Sequence, residues 1–223
     1  MKKLLTITIL TITVGLFSSN AAHALVPISG STGLASLGAW EGSLDYSYTN
    51  STTAELEVKL KNTSPVSNGG YITAFVFNNP LNLITAASLT ASDSDFSIIG
   101  PANFQNTINA MPFGQFDLGA STKNAFQGGG APQKGIAVGV EETFKFSLTG
   151  TNLDTLTENI FLDTLSEGNE SDEGYQSFVV RFRGFEDGGS DKVPSTHSMP
   201  EPGTLALFGI GAAGAYIRRK FQA

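Results

Sequence analysis

Glu55-Leu56-Glu57-Val58-Lys59-Leu60-Lys61 alternates a charged with an apolar side chain at every step. Successive side chains of an extended chain point to opposite faces. This period of two therefore puts Leu56, Val58 and Leu60 on one buried face and the charges in water. The run ends at Asn62-Thr63-Ser64-Pro65, with Gly69-Gly70 close behind, a composition that turns the chain. The same signature returns twice. Phe144, Phe146 and Leu148 alternate with Lys145 and Ser147 before Gly150, and Phe178, Val180 and Phe182 alternate with Val179, Arg181 and Arg183 before Gly184. Residues 71–77, aromatic and β-branched and closed by Asn78-Asn79-Pro80, predict a strand buried on both faces. Weaker strand candidates are 44–48, 96–99 and 113–118.

Many strands, Gly/Asn/Pro turns and no alternation of strand with helix predict a mainly β fold, an antiparallel β-sandwich of jelly-roll or Ig-like type. One segment departs from this. Leu153, Leu156, Ile160 and Leu165 recur at helical spacing, with Asn152 or Thr155 available as N-cap. They predict one short helix over 155–165, packed on an end or edge of a sheet. Residues 103–132, rich in glycine and amides, read as a long surface excursion around one or two edge strands. No internal repeat is present.

Charge and rare residues narrow the chemistry. Residues 25–198 hold eight Lys/Arg against nineteen Asp/Glu, giving −11, while the basic ends bring the whole chain to −7. Such a surface repels nucleic acid. There is no cysteine, so neither disulfides nor thiolate metal sites are available. The two histidines, His23 and His197, lie near the ends. A domain between them has no imidazole for a Ser-His-Asp triad or a His-ligated metal. Carboxylates are what remains for catalysis, and no carboxylate pair stands out.

Asp93-Ser94-Asp95 and Glu186-Asp187-Gly188-Gly189-Ser190-Asp191 place carboxylates in turns, where a hard cation finds oxygen ligands. Calcium is the one cofactor they would admit, through Asp93, Asp95, Asp187 and Asp191. Neither run has EF-hand spacing, and acidic turns are more often simply solvated. Arg181 and Arg183 share one sheet face, suited to ion pairs or an anionic sugar. Trp40 with Tyr46 and Tyr48 offers either an aromatic sugar platform or core. Sixteen Phe against five Tyr favour core. Asn50, Asn62 and Asn169 begin glycosylation triplets.

The ends read as addresses. Met1-Lys2-Lys3, the apolar run 4–17 and Ala22-His23-Ala24 form a secretory signal helix over 1–24, cleaved after Ala24 with Ala22 as the other small residue. At the far end Pro200-Glu201-Pro202 precedes a run, 203–217, free of ionisable side chains except Tyr216. Arg218, Arg219 and Lys220 follow as a stop-transfer cluster. At about 1.5 Å per residue, 203–217 spans only about 22 Å, short for a permanent anchor in a core of about 30 Å. The expected organisation is signal peptide 1–24, β-sandwich ectodomain 25–193, and linker with a single transmembrane helix 194–223.

This tail resembles the PEP-CTERM sorting signal of bacterial exported proteins, with Met199 where the family often has Val. The resemblance implies exosortase as partner, reading Pro200, Glu201 and Pro202 and cutting there. It also implies a transient stay in the inner membrane and delivery to the cell surface or extracellular matrix. Residues 71–80, 178–185 and 187–194 are similar to ectodomain phrases on other PEP-CTERM proteins and bring no activity with them. The expected function is an exported, exosortase-processed surface or matrix protein, non-catalytic and associated with extracellular polysaccharide and biofilm. A carbohydrate-binding module, needing an exposed aromatic platform, is the first alternative. A carboxylate-based glycoside hydrolase or lyase, needing two carboxyls in one cleft, is the second.

Overall fold

The computed structural model describes residues 25–101, 104–127, 130–168 and 173–196. The expected signal helix and transmembrane helix lie outside them. In chain order the strands are β1 (Val26–Gly30), β2 (Trp40–Asn50), β3 (Thr53–Asn62), β4 (Gly69–Phe77), β5 (Ile84–Ala91), β6 (Ser97–Ile99) and β7 (Ile108–Asn109). They continue with β8 (Gln115–Phe116), β9 (Leu118–Ser121), β10 (Ile136–Ala137), β11 (Glu141–Gly150), β12 (Phe178–Phe185) and β13 (Ser190–Pro194). One short helix, α1 (Glu158–Asp163), lies between β11 and β12.

The first sheet runs β1-β2-β3-β11-β5 and every pairing is antiparallel. Register explains its two faces. Leu56 stands between Tyr46 and Phe146, and Val58 between Leu44 and Phe144, so the apolar face is continuous across three strands. The opposite face carries the charges. Lys145 Nζ lies 2.9 Å from Glu57 and 3.4 Å from Glu55, and Lys61 lies 3.0 Å from Glu41.

The second sheet runs β13-β12-β4-β9-β6. One edge of β4 is shared, its first half pairing with β10 and its second with β9. Neither sheet closes on itself, and β7 with β8 forms a separate small pair. The two large sheets meet through aromatic rings: Phe75 and Phe144 are 4.8 Å apart, Phe77 and Phe146 5.2 Å, and Trp40 and Phe178 5.4 Å. α1 adds Phe161 beneath Tyr46 and Phe77, at 5.4 and 6.2 Å.

Two expectations need correction. The segment 103–132 is not a surface excursion. It supplies β9 to the interior of the second sheet, and Phe113, Phe116 and Phe126 with Ile108 cover that sheet's outer face as a second apolar cluster. This is why β4 is buried on both sides, with Ala74 and Val76 facing the second cluster and Phe75 and Phe77 the first. The helix is also shorter than 155–165. Leu153–Thr155 forms a 3₁₀ turn and Leu156 is extended, which breaks the helical run. Leu153 and Leu156 are core all the same, while Leu165 is exposed. Thr157 caps α1 without a side-chain bond, and Glu158 Oε1 instead accepts the Tyr46 N–H at 3.0 Å.

Candidate functional site

A cleft of about 760 Å³ lies at one end of the second sheet, a volume ordinary for a ligand site. It begins with Asn79, just after β4. Its Nδ2 donates to the Ile84 carbonyl and its Oδ1 accepts the Ile84 N–H, both at 2.9 Å. A single side chain thus imitates a strand neighbour and closes 79–84 into a ring. Inside that ring Leu81 and Asn82 take φ of 53° and 55°. Across the cleft Phe104 and Asn106 take 43° and 53°. Left-handed backbone costs a residue with a Cβ about 1–2 kcal/mol. Four of the six non-glycine residues with positive φ among those described line this one cleft.

Asp117, the residue between β8 and β9, holds the two strained loops together. Its Oδ2 accepts the Asn79 N–H at 2.8 Å and its Oδ1 the Asn106 N–H at 2.6 Å. It is only 5% exposed. Burial pushes its carboxyl above the usual carboxylate range, the two backbone donors oppose the rise, and the charge of Glu167 adds to it. Glu167 lies in the same cleft and accepts Asn106 Nδ2 at 2.9 Å. Two carboxyls therefore share the cleft, linked by one asparagine.

Asn78 lies beside them, 1% exposed. Its Nδ2 donates to the carbonyls of Thr164 (3.0 Å) and Gln176 (3.3 Å), which fixes the amide's orientation. Its Oδ1 is the buried side-chain acceptor left without a donor among the described residues. Leu81 and Leu165 stand on the rim, 68% and 53% exposed. Among the described residues, no lysine, arginine or histidine lines the cleft.

Neither the meeting of Asp117 with Glu167 nor the strained loops can be read from the sequence. Asn78-Asn79-Pro80 reads only as a strand terminator, and Asp117 and Glu167 are far apart along the chain. Left-handed leucine or phenylalanine carries no sequence signal at all.

The turn carboxylates and other candidates named in the sequence analysis fall elsewhere. Asp93 Oδ1 accepts the Asp95 N–H at 2.8 Å, Asp95 pairs with Lys134, and Asp187 Oδ1 accepts the Gly189 N–H at 2.7 Å. Asp191 is 2% exposed and serves the loop before β2. Its Oδ1 accepts from Ala35 at 2.9 Å, and its Oδ2 accepts from Leu37 at 2.9 Å and Gly38 at 3.2 Å. A Cβ on Gly33 would come within 2.5 Å of that carboxylate, so only glycine lets the loop close over it. Among the described residues no three His, Cys, Asp or Glu gather as a metal would need.

Trp40 and Tyr46 are core rather than a sugar platform. Trp40 Nε1 donates to the Val193 carbonyl (3.1 Å) and the Tyr46 hydroxyl to that of Leu153 (2.7 Å). Arg181 and Arg183 do share a face, reaching the carbonyls of Phe126 (2.6 Å) and Gly130 (3.2 Å). Asn62 is fully buried and holds the carbonyls of Gly70 and Ile136, so it is no glycan acceptor. Ala22, Ala24, Pro200, Glu201, Pro202, Arg218, Arg219, Lys220 and Asn169 lie outside the described residues. Among the described residues no helix is long and apolar enough to cross a membrane.

Comparison with known families gives one result. Residues 200–220 match the family model of the PEP-CTERM protein-sorting motif. No curated protein and no solved structure matches the chain.

Proposed function

We propose that this chain, which carries the PEP-CTERM sorting motif and is thereby an exosortase-targeted extracellular protein, is a non-catalytic component of the cell surface or exopolysaccharide matrix. Its ectodomain is a β-sandwich whose apolar faces hold the fold without disulfide or metal. The signal helix 1–24 starts export. The hydrophobic run 203–217, stopped by Arg218, Arg219 and Lys220, parks the chain in the inner membrane. Exosortase then reads Pro200-Glu201-Pro202, kept extended by its two prolines, and frees the domain.

The observation that carries this reading is the motif at 200–220. A membrane helix as such needs neither proline nor a carboxylate at its mouth. Glu201→Ala should therefore leave export and insertion intact and block processing, so that uncut chain accumulates in the inner membrane. Replacing Arg218, Arg219 and Lys220 together should instead let uncut chain slip through. Fractionation blots with and without exosortase read both. Processing of Glu201→Ala at the wild-type rate, or processing without exosortase, would overturn the proposal.

One observation favours the hydrolase alternative: Asp117 and Glu167 share a cleft, the arrangement two-carboxyl glycosidases require. Against it, both oxygens of Asp117 accept backbone N–H groups, which ties the carboxyl into the scaffold as an acceptor rather than a proton donor. Release of reducing ends from polysaccharide by wild type but not Glu167→Gln would reverse that judgement.

A further inference from the structure

We propose that the cleft between the 79–84 and 104–106 loops binds a neutral, hydroxyl-rich ligand, a saccharide segment. This rests on the matrix reading for the source of the ligand and on the cleft alone for its chemistry. The lining is made of planar amides and carboxylates, Asn82, Gln105, Asn106 and Glu167 among them. Each can bond two neighbouring hydroxyls, and the amides offer donors as well as acceptors.

Sign excludes anions. Among the described residues two carboxylates line the cleft and no cationic side chain does, so phosphate, sulfate and uronate are repelled. A hard cation is excluded by geometry. Both oxygens of Asp117 are turned to N–H donors, and among the described residues no third acidic side chain joins it and Glu167.

Shape supplies the rest. The exposed Leu81 and Leu165 give the rim two apolar surfaces against which the C–H face of a sugar ring can lie. Leu81 is held out by the strained backbone that Asn79 and Asp117 impose. Strain concentrated around one cleft and tied down from beneath is preorganisation, which lowers what a ligand must spend in ordering the loops.

The test is calorimetry on the full-length chain in detergent micelles. Probes are neutral hexasaccharides (β-1,4-glucan, α-1,4-glucan, β-1,4-linked N-acetylglucosamine) and polygalacturonate as the acidic control. At least one neutral hexasaccharide should bind with Kd between about 10 μM and 1 mM, and polygalacturonate should not bind. Leu81→Gly and Asn82→Ala should each weaken that binding by about tenfold or more, or 1.4 kcal/mol. Leu81→Gly should keep or raise Tm, since glycine accepts φ of 53°, so lost binding is not lost folding. No neutral binding up to about 10 mM, preference for the polyuronate, or unchanged affinity in both variants overturns the proposal. If binding fails while Glu201→Ala still blocks processing, the cleft assignment falls alone. If processing proves independent of exosortase while binding holds, the sorting reading falls alone.

Discussion

Removing the Asp191 carboxylate should be among the most damaging single changes to this domain. In Asp191→Ala three loop N–H groups lose their acceptor, those of Ala35, Leu37 and Gly38. The Gly38 bond is buried, so its donor carries the full penalty of about 1–3 kcal/mol. The other two are partly exposed and recover water, at about 1 kcal/mol each. The total is about 3–5 kcal/mol, a large part of a stability of about 5–15 kcal/mol. Asp191→Asn keeps the shape but turns one oxygen into a donor facing donors, and should lose about 2–3 kcal/mol. Urea unfolding measures both, and hydrogen exchange at the amides of 35, 37 and 38 localises the loss. If Asp191→Ala loses less than about 1 kcal/mol, or Asp191→Asn matches wild type, the carboxylate is not what closes this loop.

Phe75, in ring contact with Phe144 at 4.8 Å and Phe178 at 5.5 Å, should lose about 3–5 kcal/mol as Phe75→Ala. A urea midpoint near wild type would deny the shared core. Burial and the neighbouring Arg181 pull the Lys192 ammonium from 10.5 down to about 8. The unfolded chain then holds more protons between those values, and stability should climb with pH through that window. Burial first, then Asp154 and Glu158, push the Tyr46 phenol from 10.0 up to about 12, so that above pH 10 the unfolded chain ionises first and stability should fall. Tm against pH should show the climb in wild type and lose it in Lys192→Met; a climb that survives the substitution places its origin elsewhere. Millimolar calcium should leave Tm unchanged, because Asp93, Asp95, Asp187 and Asp191 are engaged within the protein. A rise of several degrees would restore those turns as a calcium site.

Periodicity made the first core legible. Leu56, Val58, Leu60, Phe75, Phe77, Phe144, Phe146, Phe178, Val180 and Phe182 were expected inside and all are buried. A strand's alternation records burial directly, because one face meets protein and the other water. The second cluster left no such record. Phe113 and Phe116 fall in the weak strand candidate 113–118 and Phe126 in a glycine- and amide-rich stretch, so no period marks them as one buried face. The acidic turn misled in a similar way: Asp191 looks like a solvated carboxylate until the loop at 33–38 folds over it. The cleft was hidden for a third reason. Asn79, Asp117 and Glu167 meet only through strand pairing, and the strain at Leu81 and Phe104 is a property of backbone that residue identity does not announce.

Pro194 stands opposite Val179, and Phe77 opposite Phe178. The end of β13 and the loop beginning at Asn78 thus lie at the same end of the second sheet. Thr196 is fastened there by its N–H to the Ser29 carbonyl at 2.8 Å. It is four residues from Pro200, a leash of no more than about 15 Å even at full extension. In the proposed membrane-held state the tail would therefore leave the domain from this end of the second sheet. The proposed cut at Pro200-Glu201-Pro202 would then release that end from the membrane's neighbourhood into open solvent. The same cleft would then meet the proposed saccharide at a different effective concentration before and after the cut.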